Sequence, residues 1–547
     1  MKTIKLFLLI TISLGTCKSQ TPSWSWAKIY PCRYEAISCD QSNRVLGAGF
    51  HWGSMIFGTQ TLSLMGATDV LITKHDEQGN ELWAASGGGP GNDRGNSVST
   101  DAAGNVYVTG VYSGTVATFG NFILNSSSTN INPSTMFVVK YNNLGAIQWA
   151  ATASGLGNSS GIAIYADASG NAYITGSFES NLVIGSTTLT ATMPGDCFII
   201  KYNTSGIPQW VKAFHNISPN FTHGLCTDQN QNVFVTGYFT GPSFSLGTHT
   251  ITNSGHTYLS KFDPSGNVLW LKGLDGPSFS LPAMNGIAAD QSGNCLLTGY
   301  FYGSSLVAGT TTLNNNGTID KMYLVKYDPS GNLLWAKTEG GTSLSRGQGL
   351  ALDSQGNSYV QGMFGAASGQ FGALNLPSSG TADIFITKYD AAGNEVWVQT
   401  CGGDNVDFGR GICVNSNDEC FLAGYFLPTT TSFSCGSITA NVTFGTAGAS
   451  ISKLGALSVG LSEGDKQQDL LEVFPNPSSD NITINASKDK ELLKVRIIDV
   501  TGKLMFSSDL STSDSKTIDI SSLKASLYLI EIENEAGQIV RKKLVKE

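Results

Sequence analysis

The sequence predicts an all-β protein: a seven-bladed β-propeller followed by a small β-sandwich. Three observations predict it. A unit of about 62 residues recurs through most of the 547-residue chain, which is the signature of a repeat architecture. Gly (64) and Pro (16) are abundant while charged residues make up only 13%, a composition that disfavours helical and disordered chains. Charge density then rises abruptly: residues 466–547 hold 12 basic and 13 acidic side chains, whereas the 465 residues before them hold 48 charges, and such a shift marks a domain boundary. With 32 basic against 41 acidic residues the net charge is -9. No broad basic surface exists to neutralise phosphates, so nucleic-acid binding is not expected.

Taken in order, residues 1–19 read as a signal peptide. Lys2 and Lys5 precede the apolar run from Leu6 to Leu14, and small or polar residues follow. Cleavage is expected after Ser19. Cys17 raises a lipoprotein alternative, but Thr16 stands where a lipobox carries Gly, Ala or Ser. No later stretch reaches the roughly 18 apolar residues of a membrane-spanning helix, so no transmembrane segment is expected.

Residues 20–454 carry the repeat. Lysine recurs at Lys74, Lys140, Lys201, Lys261, Lys326, Lys388 and Lys453, and a Trp lies nine residues after each of the first six. A glycine recurs at Gly49, Gly110, Gly176, Gly237, Gly299, Gly362 and Gly424. Each unit reads as four short strands, because runs such as NVYVTG and LLWAK are rich in β-branched and aromatic residues and are bounded by Asp-x-x-Gly-Asn turns. The seventh unit has Ser462 where Trp is due, while Trp26 precedes the first unit. Ring closure accounts for both: the strand around Trp26 completes the seventh blade beside Lys453 and covers an open sheet edge. The stretch SGGGPGNDRGNSVSTDAAGNVYVTG, with the Lys-Tyr-Asp and Trp-Ala runs, resembles the β-propeller repeats of secreted bacterial proteins. That resemblance covers about four-fifths of the chain and implies architecture, not a reaction.

Residues 455–472 read as a linker and 473–547 as a β-sandwich with strands in NITINA, KVRIIDV, KTIDI and LYLIEIEN. The run VFPNPSSD, the central VRIIDVTGK, the LYLIEI strand and the basic end VRKKLVKE resemble the C-terminal sorting domain of the Bacteroidetes type IX secretion system. On that resemblance Pro475, Asn476, Pro477, Asp499, Gly502 and Tyr528 are the sorting-motif residues. It also implies partnership with the type IX machinery, removal of the tail, and release or attachment at the outer cell surface.

Candidate chemistry is sparse. Gly460-Leu461-Ser462-Glu463-Gly464 matches the G-x-S-x-G pattern but lies in the linker, without the strand and helix that a nucleophile elbow requires. The Asp-x-x-Gly-Asn turns lack the further carboxylates of a calcium loop, and the six histidines share no repeat position, so no metal and no cofactor is expected. The repeated Lys reads as a stem laid on apolar surface, and the repeated Trp as core. Cys413 and Cys420 flank one hairpin turn and are the candidate disulfide, subject to register. Asp93, Arg94, Arg346, Asp404, Asp407 and Arg410 lie in inter-blade loops and are the candidate ligand-binding residues. Loops on a rigid scaffold suffice for binding, and these groups form no recognisable catalytic dyad. The reading is therefore a secreted or cell-surface binding or scaffold protein with a glycan or protein ligand; the alternative is an extracellular polysaccharide-active enzyme.

Overall fold

Runs such as VYVTGVYS (Val106–Ser113) pair as strands because β-branched and aromatic residues fill both faces of a sheet held between neighbours. The structure is a computed structural model that describes residues 22–130, 133–193, 195–215, 220–252, 257–276, 286–315, 319–341, 343–365, 369–372, 374–376, 378, 380–427, 432–441, 447–455, 471–474, 476–486, 492–499, 504–509, 515–534 and 539–546. The expected signal peptide, Ser462 and most of the expected linker lie outside the described residues.

Two compact units, Met1–Ala456 and Leu457–Glu547, divide the chain. In the first, seven antiparallel sheets each have a four-stranded core. We call them blades 1 to 7 and their strands a to d. Blade 1 comprises Cys32–Cys39 (a), Val45–His51 (b), Asp69–His75 (c) and Glu81–Gly87 (d). The following a strands are Arg94–Thr100, Ser159–Ala166, Asn220–Thr227, Ile287–Ala289, Ser345–Leu352 and Asp407–Val414. Each a strand packs beside the next, and the seventh returns to the first, so the a strands form a closed ring.

One feature goes beyond the sequence reading. Every unit has six strands rather than four, because a short hairpin such as Met55–Phe57 with Gln60–Leu62 lies between b and c. Strands of three or four residues are too short for alternation to announce them. Ring closure itself follows the expected register. Trp24–Tyr30 is strand d of blade 7, with Trp26 opposite Lys453, just as Trp83 faces Lys74 and Trp149 faces Lys140.

The repeated Lys and Trp form a latch between blades. Trp83 Nε1 and Lys74 Nζ both donate to the Asn143 carbonyl in the c–d turn of blade 2. Trp149 and Lys140 do the same to Thr204, Trp270 and Lys261 to Pro329, and Trp26 and Lys453 to Glu77. Five of the lysines, Lys74, Lys261, Lys326, Lys388 and Lys453, also pair with the acid of their own a–b turn: Lys74 lies 2.7 Å from Asp40 with both side chains buried, and Lys388 lies 2.9 Å from Asp353. The turn glycine completes the latch. Gly145 has φ 84°, and a Cβ there would sit 2.8 Å from the Trp83 ring, so only Gly permits both the turn and the contact. Trp397 Nε1 is buried without a partner among the described residues. The c–d turn it would meet is absent, because blade 7 is closed by the two ends of the ring, with Gly455 N donating to Ser23 O at 2.8 Å.

The disulfides correct one expectation. Cys413 is bonded to Cys39, 374 residues away, with Cα atoms 5.9 Å apart, and Cys420 is a free buried thiol. Across the hairpin Cys413 faces Phe421 and Cys420 faces Val414. One residue of offset sends the two sulfurs to opposite faces of the sheet. The observed bond joins the a strands of blades 7 and 1, across the closure. A second bond, Cys401–Cys435, ties strand d of blade 6 to the hairpin of blade 7.

In the second unit, a three-stranded sheet (Leu471–Phe474, Asn481–Ala486, Ser515–Asp519) and a four-stranded sheet (Leu504–Asp509, Leu492–Asp499, Ser526–Asn534, Ile539–Lys546) share one core that includes Ile482, Ile484, Ile497, Ile518 and Ile530. Alternation places these residues inward.

Candidate functional site at the mouth of the ring

Antiparallel order gives the ring two chemically different ends. The a–b and c–d turns lie at one end, capped by Asp or, at Asn142, Asn203 and Asn415, by Asn. Asp101 Oδ1 accepts from the N–H groups of Ala103 and Asn105, and Asp101 Oδ2 accepts from the Asn105 side-chain amide. These are structural turns, and the seven lysines are spent beside them. The d-to-a connections and the points where strands b and c enter and leave their hairpins form the other end, which we call the mouth; the hairpins themselves fold back along strand d, the tip Gly58 lying against Glu81 at its start.

All six candidate ligand residues lie at the mouth, in two roles. Asp93 and Asp407 are fully buried. Asp93 accepts from Gly89 N at 2.5 Å and Ser113 N at 2.8 Å, and Asp407 accepts from Gly403 N at 2.6 Å. They brace the connections rather than line them. Burial pushes the Asp93 carboxyl up to about 6 and that of Asp407 up to about 7, the latter helped by Asp383 and Asp404. The arginines are at the rim. Arg94 and Asp404 are exposed. Arg346 pairs with Asp320 through both Nε (2.7 Å) and a terminal amino group (2.6 Å), and its guanidinium stands 5.0 Å over the Tyr300 ring.

The sequence reading missed the centre of this cluster. Glu35 holds Arg33 at 2.9 Å and Arg410 of blade 7 at 3.5 Å, across the closure. Arg33 lies 4.9 Å over Tyr425 and 5.8 Å over Phe50, while Arg410 lies 5.7 Å over Phe408. Burial lowers the Arg410 pKa, and the positive charges of Arg33 and Arg94 add to the effect. Tyr425 and Tyr300 each follow the repeated glycine of strand b, so Arg33 and Arg346 make the same contact with the blade before their own. The signal was available: Arg33 stands seven residues before Asp40, as Arg94 does before Asp101 and Arg346 before Asp353.

A shared backbone device shapes the ring. In six a strands the ladder skips one residue at the same repeat position: Glu35, Asn96, Ile162, His223, Gln348 and Arg410. Such bulges bend a strand and re-aim a side chain, and they concentrate beside functional sites. His223 stacks on Tyr238, and burial lowers its pKa to about 4, so it is neutral at ordinary pH. No cluster of three or more metal-ligating side chains occurs among the described residues.

In the second unit, Asn476 Oδ1 accepts from Val545 N at 2.8 Å, the Tyr528 hydroxyl donates to Lys524 O at 2.9 Å, and Asp499 lies opposite Tyr528 in the ladder. Pro477 is exposed. Pro475 and Gly502 lie outside the described residues.

Residues 472–547 match the family described as the secretion system C-terminal sorting domain. Over 491 residues the chain is 25% identical to an uncharacterized WD repeat-containing protein of Acanthamoeba polyphaga mimivirus, covering 71% of this chain and 35% of that protein. Over 127 residues it is 34% identical to the regulatory protein FlaEY of Caulobacter vibrioides, covering 22% of this chain and 13% of that protein. The chain thus spans about a third and an eighth of these curated relatives. Among solved structures it is similar to YCF48 bound to D1 peptide (TM-score 0.35, 10% identity, 81% of this chain and 100% of that one). It is also similar to an ulvan lyase of a polysaccharide lyase family (TM-score 0.34, 11% identity, 82% and 91%). No helix among the described residues is long and apolar enough to cross a membrane. The protein is an all-β propeller that ends in a secretion system sorting domain, and that domain directs it through the type IX route to the cell surface or the medium.

Proposed function

We propose that the exported propeller is a binding or scaffold protein and that its mouth receives an extracellular ligand. The observation that carries this reading is the recurrence of a bulge at one level of six a strands, which sets six different side chains around the ring on an otherwise repeated frame. A closed ring with latched blades is a rigid support, and binding concentrates where variable residues sit on such supports. The carboxyls of the mouth support binding rather than acid–base work: Asp93 and Asp407 are engaged by backbone N–H groups, and Glu35 and Asp320 by guanidiniums.

A glycan and protein array probed with the full exported protein tests this. The double variant Ile162→Trp/Gln348→Trp obstructs the mouth at bulge level, and Gln78→Trp alters an exposed turn at the other end. Binding lost in the first and kept in the second is the expected result. Binding kept in the first, or turnover of an arrayed glycan, would overturn the reading.

A further inference from the structure

The chain has seven arginines, and their placement is uneven. Arg496 and Arg541 lie in the sorting domain and Arg44 in a turn at the far end of the ring. Of the other four, Arg346, Arg33 and Arg94 stand at the starts of the a strands of blades 6, 1 and 2, and Arg410 is the bulge residue of the a strand of blade 7. These blades are consecutive around the closed ring, so the four guanidiniums form one arc. Seven lysines are spent at the opposite end in the latches, and Lys321, at the start of strand c of blade 5, is buried.

We propose that this arc binds an acidic polysaccharide, taking the polymer's carboxylate or sulfate groups on the guanidiniums. The inference rests on the mouth being the ligand site and adds the chemistry of the ligand. A guanidinium presents a planar fork of donors that matches a two-oxygen acceptor, which an ammonium does not. Three of the four are oriented before any ligand arrives. Tyr300 supports Arg346, Tyr425 and Phe50 support Arg33, and Phe408 supports Arg410; such stacking fixes a guanidinium, and the pairs with Asp320 and Glu35 fix it further, so a ligand meets the amino groups those acids do not take. Arg94 is exposed and has no ion-pair partner among the described residues.

The acids around the arc are mostly engaged: Glu35 and Asp320 are held by guanidiniums, Asp69 and Asp383 are buried beside Asp93 and Asp407, and Arg94 faces solvent without an ion pair among the described residues. This is an arc of guanidiniums on a chain whose net charge is -9. Phe50, Trp52 and Tyr425 are half-buried beside the arginines, with Phe50 and Trp52 edge to face at 5.9 Å. They offer apolar planes to sugar rings, which an acidic peptide would not need. The far larger acidic surface disfavours a long, stiff nucleic-acid duplex.

The test is affinity electrophoresis of the full exported protein in gels containing dextran sulfate, polygalacturonate or unmodified dextran, with duplex DNA as a further probe. Retardation is expected with dextran sulfate, polygalacturonate or both, and not with dextran. Which acidic polymer binds identifies sulfate or carboxylate as the anion read. Arg94→Gln, at an exposed side chain without an ion pair, is expected to weaken binding about tenfold, and Arg94→Gln/Arg346→Gln further. Equal binding of dextran, equal binding of DNA, no binding of either acidic polymer, or no effect of the double variant would overturn the inference. If the double variant is silent while the obstructed variant Ile162→Trp/Gln348→Trp loses its array ligand, the arc is wrong and the mouth remains. If the obstructed variant also keeps its ligand, both fall.

Discussion

Asp407 shows how one buried side chain sets a pH dependence. It accepts a hydrogen bond from Gly403 N, but its Oδ1 has no hydrogen-bond partner among the described residues, and Asp383 and Asp404 are the charges that act on it. Its carboxyl is raised from the ordinary 3.8 to about 7, so folding favours the neutral form. That contribution is complete below the unfolded value and is lost as pH rises through about 7. The melting temperature of the wild type should therefore fall between about pH 5 and about pH 8.5 by more than that of Asp407→Asn; parallel curves would contradict this. Lys74 and Asp40 form a buried pair of the opposite kind. Removing one partner strands a charge, so Lys74→Met should cost about 3–5 kcal/mol, and Lys74→Met/Asp40→Asn should recover part of that loss. Denaturant unfolding of the three variants measures it.

At the scale of elements, much was legible in the sequence because the repeat spells it out. Lys, the turn glycine and Trp recur since each is one part of the latch, and blade 7 shows the logic by exception. There Asn415 and Glu419 exchange the usual acid and amide, and Lys453 follows the acid to Glu419 at 2.8 Å. The hairpins between b and c were not legible, being too short to show a period. Arg33 and Glu35 were missed because Tyr34 stands where blades 2, 3, 6 and 7 carry Gly, which disguises the RYEA run as non-repeat. The disulfide was beyond sequence reasoning for a different reason: Cys39 and Cys413 become neighbours only once the ring closes. Non-reducing peptide mapping should join the peptides of Cys39 and Cys413 and leave Cys420 unmodified until unfolding. Cys413→Ser should cost about 2–4 kcal/mol. A peptide pair joining Cys413 to Cys420 would refute the assignment.

For the whole molecule, the two units divide the work by composition. The ring carries few charges and spends its recurring residues on latches and closure, and the charged β-sandwich carries the sorting match. Truncation at Gly464 in a host with the type IX machinery should leave the propeller inside the cell, and the exported wild type should be recovered without residues beyond about Glu472. Immunoblots of cell, surface and medium fractions distinguish this from export that survives truncation or from a retained tail. For the ring itself, the claim on which the functional reading stands is that ligand enters at the mouth. Hydrogen exchange of the full exported protein with dextran sulfate, and again with polygalacturonate, tests it most directly. The prediction is protection by at least one polymer in the a strands of blades 6, 7, 1 and 2, around Arg346, Arg410, Arg33 and Arg94. Protection at the Asp-x-x-Gly-Asn turns instead, or no protection by either polymer, would contradict it.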